Sequence, residues 1–267
     1  MKIEYRQYLT SKNMANGNTS TDNTVHEEAL KLQTAFLKTI SHEIRTPLNV
    51  IVGCCDVLSQ PDCDTETREM LAVQLKRSVR YLLNFCDNAA FINNLEAGNI
   101  TPHPNVFDVI FTIDFIYNST KSLLVADKRN TVCYVLNNGL GASQTIHLYG
   151  DDSLMCHAIT LIVENAIKFT EEGTVTLSAG FYTDPNGMEM LEFQVTDTGI
   201  GIDKAYHRDI FKKFWKAPQT GSKCYDGAGL GLSIVKQIVE LLDGDILVES
   251  TLGIGSTFTA RFPIIRR

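Results

Sequence analysis

No apolar run approaches the roughly 18 residues that cross a bilayer, and no charged-then-apolar leader opens the chain. A cytoplasmic protein without a membrane segment is the expectation. Basic charge is short: 24 Lys and Arg stand against 31 Asp and Glu, for a net charge of −7. A phosphate backbone rewards a basic face, so nucleic acid is not expected as a partner. Seven cysteines occur without a C-x-x-C pair, and Cys54 and Cys55 are adjacent on one element. They read as reduced thiols; redox sensing through Cys54, Cys55 or Cys224 is the other use. There is no G-x-x-x-x-G-K-[ST] phosphate loop, and no Rossmann G-x-G-x-x-G spacing. What is present, 44% hydrophobic and 21% charged over 267 residues, is a globular mixture. At about 100–200 residues per domain it fits one or two domains.

Residues 11–24 (SKNMANGNTSTDNT) are almost devoid of apolar side chains, so residues 1–24 read as a flexible arm or linker. From Val25 the pattern changes. Leu30, Leu37, Ile44, Ile51 and Leu58 recur every seven residues, flanked by Ile40, Leu48 and Cys55, which predicts a long amphipathic helix. Pro61 marks a loop over residues 59–64. Leu71, Leu75, Val79, Leu82, Phe85, Ala89 and Ile92 then predict a second helix that stops near Gly98. A two-helix hairpin buries little alone, so residues 25–100 are expected to dimerise into a four-helix bundle. The sequence TPHP at residues 101–104 is a boundary, and beyond it the period becomes two. Val175, Leu177, Ala179 and Phe181 alternate with polar residues, as do Leu191, Phe193 and Val195, and Phe258, Ala260 and Phe262. With helices near 152–169 and 230–242, residues 101–267 predict a two-layer α/β sandwich. The fold class is therefore α+β.

The stretch SHEIRTPLNV (residues 41–50) sets a reactive-looking cluster and a proline inside the first helix. At 100° per residue His42 lies about 140° from Leu37 and about 160° from Ile44, pointing away from the apolar stripe. Thr46 shares its exposed face. An H-E-x-x-H zinc site fails because Thr46 stands where the second histidine belongs. A plain surface histidine and a phosphoryl acceptor remain. In the second reading the imidazole is the nucleophile, and the Glu43 carboxylate orients the ring and takes its proton. Pro47 cannot donate a backbone hydrogen bond, which predicts a kink beside the histidine.

Four further stretches offer a phosphate source. In ENAIKFT (164–170), Asn165 and Lys168 lie three apart on a helix; an amide oxygen can ligate Mg²⁺ while an ammonium meets phosphate. In DTGIGI (197–202), Asp197 can accept from an adenine amino group, and Gly199 and Gly201 permit close backbone approach. The segment IFKKFWK (210–216) carries Phe211, Phe214 and Trp215. In GAGLGLSI (227–234), Gly227, Gly229 and Gly231 precede Leu232 at a helix start, where free N–H groups attract phosphate. Each stretch alone has an ordinary structural reading.

In this order, behind the histidine helix, these stretches resemble the sensor histidine kinases of two-component systems over residues 25–267. SHEIRTPLNV resembles the H box, ENAIKFT the N box, DTGIGI the G1 box, IFKKFW the F box and GAGLGLSI the G2 box; STLGIGSTF (250–258) resembles the closing hairpin. The resemblance implies a Bergerat (GHKL) ATP-binding domain behind a dimeric phosphotransfer bundle. ATP and Mg²⁺ would sit between the Asn165 helix, Asp197 and a lid over residues 203–226. His42 would be the phosphoacceptor with Glu43 as acid/base partner, and a response regulator receiver domain would take the phosphoryl group. Thr46 would serve dephosphorylation of that regulator.

Two positions depart from the family pattern. Leu161 stands where the N-box helix commonly carries a second asparagine, and Leu154 where an arginine-like residue is common. Mg²⁺ keeps several waters, so Leu161 bears on rate more than on binding. ATPases of the gyrase, Hsp90 and MutL type carry a water-activating glutamate at the Leu161 position. Glu164 is rotated 100° off the Asn165 direction and does not replace it. The alternative is a catalytically weak pseudokinase acting as a dimeric phosphatase or docking scaffold, against which His42, Asp197 and the intact glycines stand.

Overall fold

The computed structural model describes residues 19–122, 124, 131–140, 145–217 and 227–266, with side chains from Leu37 onward. Two compact units divide at residues 82–83, inside a helix rather than at the TPHP boundary. Most of the expected arm, residues 1–18, lies outside the described residues.

The first unit is built on α1 (Thr19–Leu58) and the beginning of α2 (Thr65–Glu96). Helix α1 starts six residues before Val25 and runs continuously through Pro47. Asp64 caps α2: its carboxylate accepts from the Thr67 N–H at 2.8 Å and the Thr67 hydroxyl at 2.7 Å. The buried line along α1 is Glu43, Pro47 and Cys54. The expected heptad line behaves differently: Ile44, Ile51 and Leu58 are half-buried, while Leu37, Leu48 and Cys55 are exposed. One hairpin offers α1 a single neighbouring helix, so only the side turned to α2 is covered.

The second unit carries two sheets. Strands β1 (Asn105–Asp108), β3 (His147–Gly150) and β8 (Ile265–Arg266) form a small antiparallel sheet in the order β1-β3-β8. The main sheet joins β2 (Val132–Asn138), β4 (Gly173–Thr183), β5 (Glu189–Asp197), β6 (Asp245–Thr251) and β7 (Gly255–Pro263) in the order β2-β4-β5-β7-β6. Among the described strands only β2 and β4 pair in parallel. Helices α3 (Val109–Lys121), α4 (Asp152–Phe169) and α5 (Gly231–Leu241) complete the unit; α4 packs on β4, β5 and β7, and α5 on β6 and β7. Period-two alternation explains why one sheet face suffices. Val175, Leu177, Leu191, Phe193, Val195, Phe258, Ala260 and Phe262 are buried toward the helices, with Phe193 and Phe262 edge to face at 6.3 Å. Leu154 and Leu161 belong to this core.

Helix α4 is fixed at its start by Asp151, a buried residue whose carboxylate accepts from the Leu154 N–H at 3.0 Å and the His103 N–H at 2.7 Å. One side chain thus caps the helix and pins the TPHP segment.

Candidate functional site

On α1, His42 is 76% exposed while the neighbouring Glu43 carboxylate is nearly buried, and His42 Nδ1 lies 3.7 Å from Glu43 Oε1. The other carboxylate oxygen, Oε2, accepts a 2.6 Å hydrogen bond from the Tyr81 hydroxyl of α2. A buried, oriented carboxylate beside an exposed imidazole is an arrangement for steering one ring nitrogen outward. The Thr46 hydroxyl, one turn on, donates to the His42 carbonyl at 3.2 Å. Sequence reasoning placed His42 and Thr46 on the exposed face but assigned Glu43 to no face and gave no sign of Tyr81, because the register between the two helices is set by the loop between them.

In the second unit the glycine stretches converge on α4. Helix α5 begins at Gly231, and its N-cap Leu230 is buried and makes no side-chain cap, so the first N–H groups face no capping oxygen of that residue. A Cβ on Gly231 would approach the Asn165 amide nitrogen to 3.5 Å and Leu161 Cδ2 to 4.0 Å, and one on Gly227 would take the space held by Lys168 Nζ. The amide, the ammonium and the helix start therefore border one cradle. Leu161 makes part of its wall apolar. Lys168 Nζ also lies 4.4 Å from the Phe169 ring centroid.

Asp197 ends β5 and is buried; its Oδ1 accepts from the Gly199 N–H at 2.8 Å. Burial pushes its carboxyl above the ordinary range, opposed by the hydrogen bonds from the Gly199 and Ser256 backbone. Gly201 is buried at φ +64°, and a Cβ there would collide with the Thr251 carbonyl. Ser250, which sequence reasoning missed, accepts from the Ile202 N–H at 2.8 Å and donates to the Gly255 carbonyl at 2.9 Å, tying the DTGIGI turn to the β6–β7 hairpin.

Phe211 is half-buried in the turn after the 3₁₀ helix Lys204–Tyr206. Phe214 has φ +59° and donates its N–H to the Gly229 carbonyl at 2.8 Å, while Trp215 packs on Tyr206 with ring centroids 5.5 Å apart. The aromatic segment and the glycine turn are thus directly joined. Leu232 is half-buried in the first turn of α5. Burial raises the Glu164 carboxyl, so ionising it beside the core is opposed. Residues 218–226 of the expected lid, Cys224 among them, lie outside the described residues.

A mixed sheet roofed by helices, with an acidic residue before a glycine turn and a glycine-started helix beside Asn165 and Lys168, defines a Bergerat-type nucleotide-binding domain; ahead of it stands a histidine-bearing helical hairpin. The chain belongs to the histidine kinases. Residues 32–98 match the His Kinase A (phospho-acceptor) domain model, and residues 150–266 match that of the histidine kinase-, DNA gyrase B- and HSP90-like ATPases.

The autoinducer 2 sensor kinase/phosphatase LuxQ of Vibrio parahaemolyticus is 33% identical over 89% of this chain and 27% of its own length. Hybrid signal transduction histidine kinase B of Dictyostelium discoideum is 29% identical over 89% of this chain and 12% of its own. The chain thus spans well under a third of the length of these relatives. Among solved structures, Acinetobacter baumannii histidine kinase AdeS superposes with a TM-score of 0.60 at 20% identity, covering 83% of this chain and 97% of that one. Full-length ShkA, solved in complex with AMPPNP, gives 0.59 at 25% identity, covering 87% and 46%. These relatives support kinase chemistry, and none of them favours the pseudokinase alternative.

Proposed function

We propose that the chain autophosphorylates His42 from ATP and passes the phosphoryl group to an aspartate of a response regulator receiver domain. The observation that carries the reading is the meeting of Asn165 and Lys168 with the Gly227 and Gly231 turn at the start of α5. Lys168 and the free N–H groups of α5 hold the phosphates, and Asp197 accepts from the adenine amino group. Gly199 and Gly201 let the backbone approach the base, and Phe211, Gly229 and Leu232 shape the site's edge. The Asn165 amide oxygen suits Mg²⁺, an ion that keeps several waters and binds through substrate phosphates as much as through protein. A Mg²⁺ held there would supply neutralisation of the phosphate charge.

In the reaction the His42 Nε2 lone pair attacks the γ-phosphorus and the bond to the β–γ bridging oxygen breaks. ADP leaves with that electron pair, and Glu43 takes the Nδ1 proton. Thr46 serves the reverse traffic by positioning water for dephosphorylation of the regulator.

The working form is a homodimer. Exposed Leu37, Leu48 and Val52 on α1, with Met70 and Val73 on α2, form the apolar surface that a second hairpin would cover. The domains are taken as residues 1–24 for the arm, 25–100 for dimerisation and phosphotransfer and 101–267 for catalysis. The setting is the cytoplasm: no helix among the described residues is long and apolar enough to cross a membrane, and net charge and thiol usage fit that compartment.

The test is calorimetric titration of AMPPNP with Mg²⁺ into the wild type and into Lys168→Met and Asn165→Ala variants. Saturable binding that weakens at least tenfold in Lys168→Met is expected. Equal affinity in all three proteins would place the phosphates elsewhere.

A further inference from the structure

We infer that Ser250 is a positioning residue for the base end of the nucleotide: its hydroxyl fixes the two backbone stretches that hold Asp197, and so sets the preference for adenine. The inference rests on the reading of Asp197 as acceptor for the adenine amino group.

Ser250 lies near the end of β6, outside the DTGIGI turn, yet its one hydroxyl serves three partners. Its oxygen accepts from the Ile202 N–H at 2.8 Å, and its proton goes to the Gly255 carbonyl at 2.9 Å. The Ser256 hydroxyl stands 3.0 Å away. A serine has one proton to give and two lone pairs, so with its own proton on Gly255 it takes the proton of Ser256. Its hydrogen-bonding capacity is then full.

These partners surround Asp197. Ile202 closes the turn that Asp197 opens, and Ser256 lies opposite Asp197 in the β5–β7 register and opposite Ser250 in the β6–β7 register. The Asp197 carboxylate is held from both sides, by the Gly199 N–H of the turn at 2.8 Å and by the Ser256 backbone. Gly255 approaches the Asp197 carbonyl so closely that a Cβ there would collide with it. Asp197 and Ser256 are each 7% exposed, so lost bonds between them are not readily replaced by water. Asn165, Lys168 and Gly231, which meet the phosphates, lie on α4 and α5 instead. Removing the Ser250 hydroxyl therefore loosens the base end and leaves the phosphate end in place. Adenine presents an amino donor where guanine presents a carbonyl acceptor, so a carboxylate held still rewards one base and repels the other. A carboxylate free to turn aside does less of both.

The experiment is calorimetric titration of AMPPNP and of GMPPNP, each with Mg²⁺, into the wild type, Ser250→Ala, Asp197→Asn and the double variant. The two ligands carry the same phosphates, so only the base separates them. Ser250→Ala should weaken AMPPNP about tenfold and GMPPNP less than about twofold. Adding Ser250→Ala to Asp197→Asn should weaken AMPPNP no further, because Ser250 acts through that carboxylate. A merely structural role would weaken both nucleotides alike and would add to Asp197→Asn. Ser250→Cys, which keeps the shape of the side chain with only weak hydrogen bonding, is titrated beside them, so that a poorly folded alanine variant does not decide the outcome.

Equal losses for the two nucleotides, unchanged AMPPNP affinity in a folded Ser250 variant, or additivity with Asp197→Asn overturns the inference. A wild type with no preference for AMPPNP, or an Asp197→Asn protein that binds it as the wild type does, overturns the adenine reading itself, and the inference falls with it.

Discussion

Replacing Gly201 by alanine tests the DTGIGI turn directly. Gly201 has φ +64°, and its missing Cβ makes room for the Thr251 carbonyl. Neither side can yield easily. The Gly253 N–H donates to the Ile200 carbonyl at 2.7 Å, and the Ile202 N–H to the Ser250 hydroxyl at 2.8 Å, so both flanks of Gly201 are tied to the hairpin. A left-handed conformation costs a side-chain-bearing residue about 1–2 kcal/mol, and forcing a methyl into packed backbone adds about 1–3 kcal/mol. The expected loss is thus about 2–5 kcal/mol. At about 2–4 °C per kcal/mol for a domain of this size, the melting temperature falls by about 4–20 °C. Gly180→Ala is the matched control: it sits in β4 with nothing within 4 Å of the added carbon, and its stability should stay within about 0.5 kcal/mol of wild type. Thermal melts and urea titrations of both variants check this. If Gly201→Ala melts within a degree of the wild type, the turn is not held as described.

Three other perturbations have signed outcomes. Burial raises the Asp197 carboxyl above its ordinary 3.8, so the folded protein holds that proton more tightly than the unfolded chain. Its stability contribution is then full at acid pH and is lost as pH rises through the raised value, whereas adenine binding needs the ionised form and is lost as pH falls through it. Asp197→Asn should therefore leave the ligand-free protein as stable or more so at pH 7 while weakening AMPPNP, checked by melts and calorimetry; a fall in both would contradict the argument. Asp151→Ala removes the α4 cap and the bond to the His103 N–H, for an expected loss of about 2–3 kcal/mol in urea titration. Val52→Glu places a charge on the exposed apolar side of α1 and should shift light-scattering mass toward the monomer without lowering helix content by circular dichroism.

Much of this was legible before the structure, and the failures have physical reasons. The 100° arithmetic put His42 in solvent, and period two identified the inner faces of β4, β5 and β7. Spacing along α4 put Asn165 and Lys168 on one side, where the structure sets them against Gly231 and Gly227. Helix α3 was not legible: Val109, Ile110, Phe111, Ile113, Phe115 and Ile116 make an almost continuous apolar run that periodicity alone does not assign, and Phe111 and Phe115 prove exposed. Strand β2 and the small β1-β3-β8 sheet are short and lack a long alternation. The heptad line on α1 was visible, but which members a single hairpin buries depends on where α2 lies. Tyr81 and Ser250 act across long sequence separations, which no local pattern encodes. Pro47 was expected to lie inside one long helix, and α1 does run through it to Leu58.

The central claim is that His42 is the phosphoryl acceptor for ATP bound in the Asn165 and Lys168 cradle. The most direct measurement is incubation of the wild type and His42→Ala with γ-labelled ATP and Mg²⁺, followed by acid and base treatment. Label on the wild type that is lost in acid, survives base and is missing from His42→Ala is the predicted result. Label that persists in His42→Ala, or none on a wild type that binds AMPPNP, would contradict it.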